Sequence, residues 1–285
     1  MSDYVALLGT KGGPAIRPGS TMPTSNLLCL NGRQIVVDCG LGVSRGLVDQ
    51  GMALKDLSLI FITHLHSDHY LELGPLLHTA WTAGLNSLVD VYGPADLDRH
   101  WTGFLTSMQS DIDLRIEDEG RPDIRDLVVF HVIDETDVVT LGDMHVTSFR
   151  NTHPPLTDTF ALSFKTDKTH VVFGGDTTYM LELAEFAKGA DLLIHEAMLE
   201  DGILPLVARI ANGDDRLLKH LYASHTPAAD AAKIATLAGV KALALNHLIP
   251  SDDPNFTANH WRQAVEPEWP GPFYLGSDGL RIKLN

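Results

Sequence analysis

The stretch Leu59-Ile60-Phe61-Ile62-Thr63-His64-Leu65-His66-Ser67-Asp68-His69 constrains this chain more than any other. An apolar run of strand length ends in three histidines and an aspartate within six residues, which is how a buried strand delivers metal ligands to a sheet edge. His64 and His66 are two apart, so in an extended segment their imidazoles project to one side. Ser67 is placed to cap a helix carrying Tyr70, Leu73, Leu76, Leu77, Ala80 and Trp81. Four donors are too many for one tetrahedral ion with an open position, so the spacing predicts two ions sharing the loop. A structural one-metal site would favour cysteines, and Cys29 and Cys39 both lie outside the stretch.

Composition narrows the partners. Hydrophobic residues at 44% and charged residues at 20% are those of a soluble globular protein, and 285 residues suffice for one domain spanning 1–285. No apolar run reaches the roughly 18 residues of a membrane span. The start Met1-Ser2-Asp3-Tyr4 lacks a basic flank and apolar signal core, so a cytoplasmic protein with reduced cysteines is expected. A net charge of −16 opposes a polyanionic partner, because nucleic-acid binders displace counterions with a basic footprint. Nucleic acid is therefore expected to be an unlikely partner, and a small molecule the substrate.

Tyr4 to Thr10 reads as a strand running into the glycine loop Lys11-Gly12-Gly13-Pro14, which is no phosphate cradle because no helix signal follows it. Strands at Asn26–Leu30 and Gln34–Val37 flank the hairpin turn Asn31-Gly32. Asp38 is either a turn residue or an acceptor orienting a ligand histidine. A helix from Asp96 to Met108 carries Trp101, Phe104 and Met108 as a packed face or as a pocket mouth, and the charged segment Asp111–Asp126 suits a surface loop. Further strands end in His153, in Asp176 after Gly174-Gly175, in His195-Glu196, and in Asn246-His247. A histidine at one strand end is commonplace. Five such ends bearing metal-type donors point to one convergent site, since α/β folds bind ligands at the carboxyl ends of strands.

With Thr63-His64-Leu65-His66-Ser67-Asp68-His69, Asn151-Thr152-His153, Gly174-Gly175-Asp176-Thr177 and Asn246-His247 in order, the chain closely resembles the metallo-β-lactamase-fold hydrolases over nearly its whole length. The resemblance implies an α/β, four-layer αβ/βα sandwich of two mixed sheets flanked by helices. It implies one metal on His64, His66 and His153, a second on Asp68, His69 and His247, and Asp176 bridging them. The ions would be two divalent metals, zinc first, with manganese or iron acceptable to such donors. His195-Glu196-Ala197-Met198 and Ser224-His225-Thr226-Pro227 look like motifs of the ribonuclease Z and arylsulfatase-like branch. There the counterpart of His225 reaches the leaving group or oxyanion and that of Glu196 holds it; Thr226-Pro227 also reads as a plain helix start. A homodimer is a further implication.

Two cations about 3.5–4 Å apart make a hydroxide available near neutral pH for attack on an ester, Asp68 standing among the catalytic residues. The bacterial ribonuclease Z family commonly inserts a tRNA-gripping arm between the third-motif histidine and the bridging aspartate. Here His153 and Asp176 are 23 positions apart. That spacing and the charge lead to a small-molecule ester, lactone or cyclic amide as the expected substrate, in a pocket walled by Gly202–Val207 with Trp81 and Trp101. Arylsulfatase-like hydrolysis and tRNA 3′-processing are the alternatives.

Overall fold

Burial along the first strand follows a period of two that separates two cores. In β1 (Tyr4–Gly9), Val5 and Leu7 face one hydrophobic cluster while Tyr4, Ala6 and Leu8 face another. A strand buried on both faces needs cover on both sides, so the architecture must be layered. The computed structural model, which describes residues 3–210 and 213–284, has that arrangement.

One seven-stranded sheet contains β1, β2 (Ser25–Leu30), β3 (Arg33–Cys39), β4 (Leu59–Phe61), β5 (Val89–Gly93) and β6 (Val128–Val132). The other contains β7 (Thr136–Leu141), β8 (Met144–Arg150), β9 (Phe160–Lys165), β10 (His170–Phe173), β11 (Leu192–Met198), β12 (Leu243–Ile249) and β13 (Phe273–Leu275). The last strand, β14 (Leu280–Lys283), returns to pair antiparallel with β1. Both sheets are mixed: β3 to β6 and β10 to β13 are parallel runs, the remainder antiparallel. The hairpin at Asn31-Gly32 has both residues at positive φ, 49° and 78°, as a primed two-residue turn requires.

Val5, Leu7, Phe61, Phe160, Phe164 and Ile194 fill the space between the sheets. Phe61 stacks on Tyr92 at 4.8 Å and meets Phe164 edge-on at 5.1 Å, which ties one sheet to the other. Truncating such a ring to alanine costs about 3–5 kcal/mol. Helices cover both outer faces, Leu73–Thr82 and Leu97–Glu119 on one and Ala228–Ala238 and Ala258–Val265 on the other. These layers make the αβ/βα sandwich. No helix among the described residues is long and apolar enough to cross a membrane.

Four local expectations need correction. The helix begun at Asp96 continues to Glu119, through what reads as a charged loop, because Arg115 bridges Asp111 and Glu119 at i±4 while Ile112 reaches the core. Trp101, Phe104 and Met108 pack into that core, and Trp81 donates its indole N–H to Pro122, so neither tryptophan walls a pocket. Ser67 is the first residue of a four-residue helix, with His66 at the N-cap position and no side-chain cap; Leu73–Thr82 is a separate helix. Thr226 likewise does not cap: its hydroxyl donates to the Thr177 carbonyl.

Candidate metal centre and catalytic site

The parallel run delivers the central motif. β4 pairs for only three residues, after which Thr63 to His66 peel away from the sheet. Asp38 fixes that departure by accepting hydrogen bonds from the Thr63 amide (2.8 Å) and hydroxyl (3.0 Å). It also meets His69 Nδ1 at 2.8 Å, so of the two roles open to Asp38 the structure shows the acceptor. Asp38 is the extra residue of a β-bulge: Asn26 pairs with Val37 and Ser25 with Cys39, leaving Asp38 between them at φ 64°.

His247 arrives by the same device. Glu196 pairs with Asn246 and Ala197 with Leu248, so His247 is unpaired, bulged and at φ 43°. The strands β11 and β12 therefore run past Glu196 and His247 to Met198 and Ile249, and these residues sit within strands where the sequence reading placed strand ends. A side-chain hydrogen bond of 2.9 Å from Asn246 to Asn26 joins the two bulged regions across the sheets.

Donors from these elements converge: His64, His66 and His153 lie close enough together to hold an ion, as do Asp68, His69 and His247, while Asp176 groups both with His64 and His69 and with His225 and His247, and His153 also groups with Glu196 and His225. His66 Nδ1 is 3.2 Å from His64 Nε2 and 2.9 Å from His153 Nε2. Asp176 Oδ2 is 3.7 Å from His64 Nε2, 3.4 Å from His69 Nε2 and 3.0 Å from His247 Nε2. Asp68 Oδ2 lies 3.3 Å from His247 Nε2 and accepts from the Gly13 amide at 2.8 Å.

These side chains fit divalent ions. A tetrahedron with bonds of about 2.0–2.1 Å has edges of about 3.3 Å, close to the separations found. The Nδ1 partners agree: His153 Nδ1 donates to the Ser224 carbonyl at 2.8 Å and His69 Nδ1 to Asp38, which turns each Nε2 toward the cluster. Burial lowers His69, but Asp176, Asp38 and Asp68 raise it well above the usual histidine range, so an ion there would displace its Nε2 proton. His69 Nε2 is buried without a hydrogen-bond partner, a costly state that an ion relieves. Burial, with help from neighbouring imidazoles, pulls His66 and His153 down to about 4, so both are neutral donors at pH 7. Burial opposes ionisation of Asp68 and Asp176, but the histidines beside them outweigh it and hold both carboxylates well below the usual range.

His225 and Glu196 form a separate buried pair. His225 Nδ1 is 2.9 Å from Glu196 Oε2, and Glu196 Oε1 accepts from the Thr177 amide at 2.8 Å. Burial pushes the Glu196 carboxyl up, with Asp176 adding to it, and pulls His225 down to about 4. His225, His66, Asp68 and His247 open on a cavity of about 300 Å³ whose apolar wall includes Leu206 and Leu217. Part of the expected Gly202–Val207 wall is thus present.

Every sequence-predicted site residue belongs to this cluster except His195. That side chain is buried behind it, with Nδ1 at the Glu196 carbonyl. Sequence reading missed three contributors. His220 lines the cavity beside His66, His153 and His225, five positions before His225 on a helix, a spacing that carries no ligand signature. Lys11 and Gly12 line it too, although their loop lacks a phosphate-binding motif. A Cβ on Gly12 would stand 2.9 Å from His247 Nδ1, so the close approach requires glycine.

A family model for the anti-Pycsar protein Apyc1 matches residues 5–210. The chain belongs to the Apyc1 family. Its Apyc1-type sequence is also 30% identical to a ribonuclease Z of Mycobacterium sp. (strain KMS), across 99% of this chain and 96% of that protein. Among solved structures it is similar to the metallo-β-lactamase fold protein YhfI from Bacillus subtilis, with TM-score 0.72, 21% identity and coverage of 99% and 100%. Human tRNase Z, short form, superposes with TM-score 0.69 at 20% identity, covering 99% of both chains. This Apyc1-family chain is a metal-dependent hydrolase of the metallo-β-lactamase fold.

The comparisons correct one expectation. Nucleic acid was set aside on net charge, yet relatives matching almost the full length are ribonucleases. A charge of −16 is a sum over the chain and carries no positions. The cavity wall itself bears Lys11 and Arg17, and surface carboxylates such as Asp113 and Glu185 contribute to the sum from the outer helices.

Proposed function

We propose that the protein is a phosphodiesterase, holding two divalent ions and hydrolysing a nucleotide phosphodiester of the kind found in RNA. The observation that carries this reading is the buried His225–Glu196 pair, whose imidazole lines the same cavity as His66, Asp68, Asp176 and His247, in a chain that matches ribonuclease Z over 99% of its length. A lactone or ester has no comparable support. One ion would be held by His64, His66 and His153 and the other by Asp68, His69 and His247, with Asp176 shared. Zinc suits the nitrogen and carboxylate donors, and manganese or iron are alternatives. When bound, the ions supply Lewis acidity and a water of lowered pKa.

The side chains do the remainder. Asp38 and the Ser224 carbonyl hold His69 and His153 in single tautomers, so the donor set needs no rearrangement. Glu196 orients His225 through Nδ1, leaving Nε2 to the cavity. A phosphodiester anion entering beside His225 favours a second proton on the imidazole, and the departing alkoxide takes that proton from Nε2. Leu206, Leu217 and Ile249 exclude water around the nucleoside. Buried, unpaired Cys29 and Cys39 accord with work in the cytoplasm.

The test is turnover by the metal-loaded protein of bis-p-nitrophenyl phosphate and a precursor tRNA beside aryl esters, lactones and aryl sulfates. Chelator-sensitive hydrolysis of the phosphodiesters supports the reading. Turnover confined to the carbonyl or sulfate compounds refutes it.

A further inference from the structure

Beside the donor cluster, the cavity wall carries a small group of cations that the phosphodiesterase reading leaves without a task. Lys11 is only 5% exposed and its ammonium donates to one group, the Gly12 carbonyl at 2.8 Å. Among the described residues no carboxylate lies within 4.0 Å of it, so two of its three donors are without a protein acceptor. Arg17, on the same wall, reaches Asp252 at 3.3 Å, and Arg209 reaches the other oxygen of that carboxylate at 3.0 Å and Asp253 at 4.0 Å. Lys11, Arg17 and Arg209 thus gather beside Asp252 and Asp253, with Asp68 the next carboxylate along, in a chain whose charge sum is strongly negative.

We infer that Lys11 and Arg17 form an anion subsite that receives a second phosphate of the substrate, one nucleoside away from the bond that is cut. The inference rests on the phosphodiesterase reading for the substrate's class, and on geometry for the place. Lys11 leads directly into Gly12, packed against His247, and Gly13, bonded to Asp68, so the subsite is joined to the donor cluster by two residues of backbone. Both border the cavity of about 300 Å³, the lower end of the size range for small-molecule sites and adequate for one nucleoside. Burial lowers the Lys11 ammonium's pKa, Asp252 and Asp68 resist, and Arg17 adds to the lowering, which an incoming dianion would reverse. Asp252, its side chain 1% exposed and held by Arg209, keeps Arg17 at the rim.

A lysine that only bridged its own loop would affect stability and nothing else. The two roles separate by calorimetric binding of thymidine 3′,5′-bisphosphate and thymidine 5′-monophosphate to the metal-loaded protein. The subsite predicts at least a tenfold preference for the bisphosphate, reduced to threefold or less in Lys11→Met and retained in Lys11→Arg. Arg17→Ala, at a half-exposed position, should lower the preference without unfolding and serves if Lys11→Met does not fold. Equal binding of the two nucleotides by the native protein, or an unchanged preference in both Lys11→Met and Arg17→Ala, overturns the inference. Bis-p-nitrophenyl phosphate assayed in parallel keeps the two readings apart. A preserved bisphosphate preference with no turnover would strike the phosphodiesterase reading and leave the subsite standing, and turnover without the preference would do the reverse.

Discussion

Asp38 Oδ2 lies 2.8 Å from Nδ1 of His69, and both side chains are buried. The contact makes Nδ1 the donor and presents Nε2 toward Asp68 and Asp176. Asp38→Ala should therefore weaken metal affinity by about 10–100-fold, because the imidazole loses its tautomer and its orientation together. Competition against a fluorescent chelator measures it. Affinity unchanged within twofold would mean that Asp38 serves the Thr63 turn alone.

His225 and Glu196 act on the leaving group in this account, away from ion binding. Replacing His225 with alanine should lower kcat by about 10²–10⁴ with metal content intact. Glu196→Gln should fall in the same direction by less. The loss should be larger for an alkyl leaving group than for p-nitrophenolate, which needs no proton. Equal losses on both would remove the acid role from His225.

Gly12 has no room for a side chain: a Cβ would stand 2.4 Å from Ile249 Cγ1 and 2.9 Å from His247 Nδ1. Gly12→Ala should push His247 out of place and lower both the second metal equivalent and kcat, by at least tenfold, with the fold retained by circular dichroism. Normal metal content and rate would show that the loop yields.

Acidification should loosen the metal-free protein. Burial depresses His195 to about 4, and burial is also the main cause for His66, His153 and His225, each about 4. In the unfolded chain the same imidazoles titrate near 6.5. The unfolded state thus binds more protons on these four sites between these values, so their contribution is full above pH 6.5 and falls as pH drops toward 4. His247, which burial lowers but Asp176 and Asp68 raise to about 10, acts in the opposite sense above pH 6.5. The melting temperature should decline by on the order of 10 °C over that window. A flat profile would mean that the histidines are already solvated.

The donor residues were legible because they follow apolar strands at fixed spacings, and the pairing of β2 with β3 was legible from turn chemistry. The bulges were not. Nothing local in Val37-Asp38-Cys39 or Asn246-His247-Leu248 announces an extra residue, since a bulge is defined by the neighbouring strand's register. The helix through Asp111–Glu119 was illegible for a different reason: ion pairs at i±4 stand where apolar periodicity would have signalled it. Lys11 and His220 gained meaning only when distant elements closed a cavity around them. Net charge misled because a sum has no geometry.

The most direct test of the central claim is hydrolysis of a phosphodiester by the metal-loaded protein in water enriched in oxygen-18, followed by mass spectrometry of the product. The account predicts a phosphomonoester carrying one heavy oxygen on phosphorus, lost when a chelator is added. Absence of a phosphomonoester, or label found in the alcohol instead, would contradict it.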